Sequence, residues 1–123
     1  DLGMPKESVA VVAAGEYSLA VDNQEAGSRV IVKEVAFPAR AWVVIHEEKN
    51  ASPGNILGAQ RFQEGIQNGT VDLLRATEAG KRYFAMIHRD DGDDAFDHLK
   101  DVPLRDLAGA IIMVMFSTMA AVQ

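Results

Sequence analysis

Short apolar runs rich in β-branched residues recur about every dozen positions, and Gly, Pro, Asn or Asp separates one from the next. This spacing constrains the fold more than any other feature of the chain. It predicts strands at 17–21 (YSLAV), 28–36 (SRVIVKEVA), 41–47 (AWVVIHE), 55–62 (NILGAQRF), 69–74 (GTVDLL), 82–88 (RYFAMIH) and 109–118 (GAIIMVMFST), with an eighth at 8–14 (SVAVVAA). Runs this short cannot be long helices, and stacking two sheets is the economical way to bury them. The expectation is an all-β, seven- to eight-stranded antiparallel Greek-key sandwich. One helical exception is expected at 93–108, where Phe96 and Leu99 lie three apart behind an aspartate cap and Pro103 opens a second short turn before Gly109.

Turn chemistry sets the other boundaries. Pro38 in FPAR cannot donate to a ladder and separates two strands. NASPGN at 50–55 reads as a loop, Asn68-Gly69 as a tight turn, and AGK at 79–81 as a further reversal.

Composition narrows the function. The 123 residues make one domain, residues 17–123, preceded by an N-terminal extension at 1–16. A net charge of −6, with 12 basic residues scattered singly, argues against a nucleic-acid partner. Cysteine is absent, which removes thiol catalysis, disulfides and the thiolate of a blue-copper centre. The longest apolar run, AGAIIMVMF, is too short to span a membrane and suits a buried strand. No P-loop, GxGxxG, HExxH or nucleophile elbow occurs, so no enzyme is expected.

Two stretches, WVVIH at 42–46 and FAMIH at 84–88, share one pattern of aromatic, any residue, aliphatic, Ile, His. Alternation puts Trp42, Val44 and His46 on one face of their strand, and Phe84, Met86 and His88 on one face of theirs. Counting reversals makes the two strands antiparallel. The histidines are therefore expected at opposite ends of the sandwich, about 15 Å or more apart and unable to share an ion.

The loop RDDGDDAFDHLKD at 89–101 supplies the metal candidates: His88, Asp90, Asp91, Asp93, Asp94 and His98. Calcium takes six to eight oxygens on a bent backbone, and Gly92 would permit the bend, although no glutamate closes an EF-hand pattern. Aspartates also favour turns and caps without any ion. No cofactor is otherwise expected.

Two sequons, at Asn50 and Asn68, would mark a glycoprotein exported to the cell surface. The apolar run at 8–14 raises a different possibility. A strand apolar on both faces invites pairing, either within its own sheet or, through Val9, Val11, Val12 and Ala13, as a strand donated to a neighbouring subunit.

The order VDNQ (21–24), RVIVKEVAFPARAWVVIHEE (29–48), PGNILGAQR (53–61), FAMIHRDDGDDAFD (84–97) and DVPL (101–104) resembles an uncharacterised family of exported β-sandwich domains in archaeal and bacterial surface proteins. The resemblance runs from about Tyr17 to Thr118. It departs from the family at Arg40-Ala41, where a glycine is usual before the tryptophan. It implies an immunoglobulin-like or cupredoxin-like sandwich at the cell surface, with no activity and no functional residue to carry over. The expected role is a non-enzymatic extracellular structural or interaction module. It would bind itself or another surface protein, as a subunit of a pilus-like filament joined by N-terminal strand complementation. The alternative is a small exported domain that binds calcium or copper.

Overall fold

The computed structural model describes residues 9–93 and 95–120. They form nine strands: β1 (Val9–Ala14), β2 (Tyr17–Asp22), β3 (Gln24–Glu25), β4 (Arg29–Phe37), β5 (Ala41–Lys49), β6 (Ser52–Phe62), β7 (Gly65–Asp72), β8 (Arg82–Arg89) and β9 (Met113–Met119). One sheet has the order β1-β2-β4-β7 and the other β3-β9-β8-β5-β6. The pairs are antiparallel except β3 with β9, which is parallel, so the second sheet is mixed and the expectation of a purely antiparallel fold is corrected there. Gln24 explains the short β3: its side-chain amide exchanges hydrogen bonds with the backbone of Ile31, holding the chain as it turns toward β4.

The two sheets share one core. Leu19, Val21, Val30, Val32, Val35 and Phe37 from the first face Ala41, Val43, Ile45, Ala85, Ile87, Val114 and Phe116 from the second. The spacing of the β4 row is read directly from RVIVKEVAF. Val30 and Val32 are two apart, Val35 follows after three, and a bulge between Val32 and Val35 absorbs the extra residue so that Lys33 and Glu34 stay exposed.

Three expectations fail on local grounds. Among the described residues 93–108 no helix forms. Two isolated turns close instead, one with the amides of Lys100 and Asp101 donating to the Asp97 carbonyl and one with the Gly109 amide donating to the Asp106 carbonyl, and Leu99, read as half of an apolar helix face, is exposed. Asn68-Gly69 is not a turn but the interior of β7, with Gly69 opposite Val32. A Cβ there would meet the Phe62 ring at 2.9 Å, so the glycine makes room for an aromatic ring. The 50–55 loop contracts to Asn50-Ala51, whose φ values of 53° and 66° form a tight hairpin corner between β5 and β6.

Gly58 marks where the chain leaving β7 lies against β6. A Cβ there would stand 2.3 Å from the Asp72 carbonyl oxygen and 3.1 Å from Leu73 Cδ2, beside the hydrogen bond from the Leu74 amide to the Leu57 carbonyl. A backbone oxygen cannot swing away. Gly58→Ala is expected to cost about 1–3 kcal/mol through overpacking. Gly27→Ala, with nothing within 4 Å, should cost much less. Denaturant midpoints of the two variants measure the difference.

Candidate functional site

The shared pattern in WVVIH and FAMIH has a structural consequence. β5 and β8 are immediate neighbours and pair antiparallel in a register that opposes Trp42 to His88, Val44 to Met86 and His46 to Phe84. Each motif's aromatic residue thus faces the other motif's histidine. The face carrying these six side chains points away from the shared core, yet all six are buried. The loop after β8 covers part of it. Phe96 sets its ring edge-on to Trp42 (5.4 Å between centroids) and to His88 (5.5 Å), while the Arg61 guanidinium lies 5.7 Å above the Trp42 ring.

The expectation of histidines at far poles is overturned here. Antiparallel order was right, but the strands are adjacent in one sheet. The register places the two residues four positions apart along the ladder, about 13 Å by strand rise. Side-chain reach and sheet twist close that gap, and the imidazole centres stand 5.7 Å apart with 24° between their planes.

Both rings are fixed in the same way. His46 Nδ1 lies 3.0 Å from the Gly54 carbonyl oxygen and His88 Nδ1 lies 2.7 Å from that of Asp101. A carbonyl only accepts, so each Nδ1 carries the proton and each Nε2 presents a lone pair. Neither Nε2 has a hydrogen-bond partner. Burial pushes the pKa of His46 below its ordinary 6.5, against the pull of the Gly54 carbonyl. Burial likewise lowers that of His88. The Asp101 carbonyl and carboxylate oppose the shift, while the His46 and His98 charges add to it.

The acidic loop is organised around a residue the sequence reading left out of the metal set. Asp101 is completely buried. Its Oδ1 accepts the Asp91 amide at 2.8 Å and its Oδ2 accepts the Asp97 amide at 2.7 Å. Asp90, Asp91 and Asp101 bring carboxylate oxygens within 4.8 Å of one another. Asp90, however, is held by Arg40 at 3.0 Å and flanked by Arg61 at 3.9 Å. The other loop carboxylates close local turns: Asp90 accepts the Gly92 amide, Asp91 that of Asp93, and Asp93 that of Ala95. The Arg40 guanidinium beside the cluster and the backbone amides on its oxygens offset part of the negative charge gathered there. Asp93 and the exposed His98 lie outside the cluster, and Asp94 lies outside the described residues.

The remaining candidates are dispersed. Asn50 is exposed at the β5–β6 corner, and Asn68 is exposed on β7, the last strand of the first sheet, rather than in a loop. Val9, Val11, Val12 and Ala13 lie in β1 opposite Asp22, Ala20, Leu19 and Ser18 of the same chain. His46 was missed as the partner of His88. The self-similar motif was the signal that could have found it, had its two halves been set side by side in one sheet.

Two stacked sheets, a buried histidine pair on an outer face and no long apolar helix among the described residues define a small all-β domain. The chain belongs to the family described as Domain of unknown function (DUF7282), whose model matches residues 17–118. No curated protein and no solved structure matches it.

Proposed function

We propose that the protein is a non-enzymatic interaction module of the cell surface that joins copies of itself through β1. The observation that carries this reading is the character of that strand. β1 ends the first sheet, pairs only with β2 within it, and consists of VAVVAA, six residues without a charge or proline. Val11 is 63% exposed on it. Edge strands in soluble proteins are ordinarily guarded by lysine, proline or a bulge, because their free amides and carbonyls template pairing. An antiparallel β1–β1 contact is self-complementary and closes a two-fold dimer. A filament would require the β1–β2 hairpin to open at Gly15-Glu16, so that β1 pairs with a neighbour's β2 instead of its own. The same reading takes the sandwich as a Greek key of immunoglobulin-like or cupredoxin-like kind, supported by the crossings between sheets from β4 to β5, β6 to β7 and β7 to β8. The two sequons support an exported setting.

The test is sedimentation over a range of concentrations, with electron microscopy of the concentrated protein. The native chain is expected to associate and Val11→Lys to remain monomeric. Because Val11 is a surface side chain, stability should change by no more than about 0.5 kcal/mol. A native chain that stays monomeric at all concentrations would overturn the reading.

A further inference from the structure

The two sheets treat their edges differently. The second sheet ends in β3, two residues long, and in β6, which carries Pro53 and Arg61 and pairs with β5 through two register shifts. Shortness, proline, charge and bulges are the ordinary means of keeping an edge from pairing. The first sheet ends in β1 and β7, and neither has them. β7 reads GIQNGTVD, without lysine or proline and with one charge, Asp72, at its last position. Among the described residues β7 pairs only with β4. One sheet is guarded and the other is open at both ends.

We propose that β7 of one copy pairs with β1 of the next, joining the first sheets of successive copies into one continuous antiparallel sheet. The inference rests on the reading of β1 as the joining strand and names what that strand joins to. Through β1 alone, a chain of copies needs the β1–β2 hairpin to open. With β7 as the acceptor it grows while every hairpin stays closed.

Strand direction is the first argument. β1 with β2, β2 with β4 and β4 with β7 are three antiparallel pairings, so β1 and β7 run in opposite directions. A copy displaced sideways without being turned over therefore sets its β1 antiparallel to the first copy's β7.

Register is the second. One row crosses the whole sheet, with Ala13 opposite Ser18, Ser18 opposite Ala36 and Ala36 opposite Ile66. Continuing that row puts Ile66 opposite the next copy's Ala13. Val11 then falls opposite Asn68, and all six residues of β1 find partners between Thr70 and Gly65.

The third argument is apolar exposure. Val11 is 63% exposed and Ile66 75%. They oppose Ala20 and Ala36, which alternate with the core residues Leu19, Val21, Val35 and Phe37, so both lie on the outer face. In the joined sheet they become diagonal cross-strand neighbours, within reach of each other. The contact uses two different edges of each copy, so it does not close, and growth is open-ended.

The test exploits a chain without cysteine. Directly opposed residues of antiparallel strands have the Cα separation a disulfide needs. Val11→Cys and Asn68→Cys, both at exposed positions, are mixed in equal amounts, oxidised gently, and the linked pairs sorted by mass. The unlike pair should exceed its share from random collision, which the same mixture oxidised in denaturant supplies. Replacing Asn68→Cys by Gln67→Cys turns the thiol to the other face and should remove the excess. The double variant Val11→Cys/Asn68→Cys should give a ladder of linked chains. Linkage only between Val11→Cys chains would overturn β7 as the acceptor while leaving self-association through β1 standing. A random share of pairs would overturn both, and equal linkage through Gln67→Cys would overturn the register.

Discussion

Replacing Asp101 with alanine is expected to destabilise the protein by about 3–5 kcal/mol, more than any other single change outside the shared core. Its carboxylate is fully buried and accepts two backbone amides, those of Asp91 and Asp97, at 2.8 and 2.7 Å. Hydrogen bonds to a charged acceptor contribute about 1.5–3 kcal/mol each, and removing the acceptor leaves both donors without a partner. The two bonds act as one brace. They tie the start of the loop after β8 to its middle, and the same residue's carbonyl holds His88 Nδ1. Without the brace, Phe96 loses its seat against Trp42 and His88. The chain's single tryptophan makes this visible, because its emission should shift to the red in the native baseline of Asp101→Ala. Amide exchange at Asp91 and Asp97 should lose protection. Asp101→Asn keeps one acceptor but turns an NH2 toward the other amide, and should fall about midway in stability. A midpoint within about 1 kcal/mol of the native protein would show that the loop is held by something else.

Strand positions were legible because turn residues bound each apolar run, and in runs such as RVIVKEVAF the period of two survives translation into register. The row Val30, Val32, Val35 and Phe37 even carries its bulge in the spacing. What alternation does not contain is which strands become neighbours. β5 and β8 lie some forty residues apart in sequence and meet only because β6 and β7 turn away, β6 at the sheet edge and β7 in the other sheet. Parity of direction was recoverable, but adjacency was not, and the distance between the histidines depends on adjacency. The unbroken burial of β5 from Ala41 to His46 and of β8 from Tyr83 to His88 was a further clue. A strand apolar on both faces in a two-layer fold requires a third cover, here supplied in part by Phe96. The role of Asp101 in the acidic loop was not legible for a different reason. Six aspartates look alike in sequence, and only the fold buries Asp101 completely while leaving Asp91, Asp93 and the Leu99 side chain in solvent. The helix expected at 93–108 was lost to the same aspartates, whose carboxylates cap successive turns instead of one helix start.

The protein is expected to lose stability steeply as the pH falls below about 6.5, with the two buried imidazoles responsible. Burial lowers the pKa of both His46 and His88 in the folded state, whereas the unfolded chain titrates near the ordinary 6.5. Above 6.5 both states are neutral at these positions and the histidines contribute no pH dependence. Below it the unfolded state binds protons that the folded state resists, so stability rises with pH through this window and falls on acidification. Each histidine contributes a slope of up to about 1.4 kcal/mol per pH unit, or about 2.7 for the pair. The groups facing the pair set its limits. Asp101 beside His88 favours the proton, while His98 and the second imidazole of the pair oppose it. Protonating one ring therefore makes the other harder to protonate, and the steepest loss lies between the unfolded-state titration near 6.5 and the first protonation of the folded pair. Denaturant midpoints taken from pH 7.5 down to 5 measure the slope in the native chain and in His46→Gln. The native slope should exceed that of the variant, because the variant has one buried imidazole fewer to keep neutral. Equal slopes would show that His46 contributes nothing to the acid sensitivity and that its burial does not resist the proton.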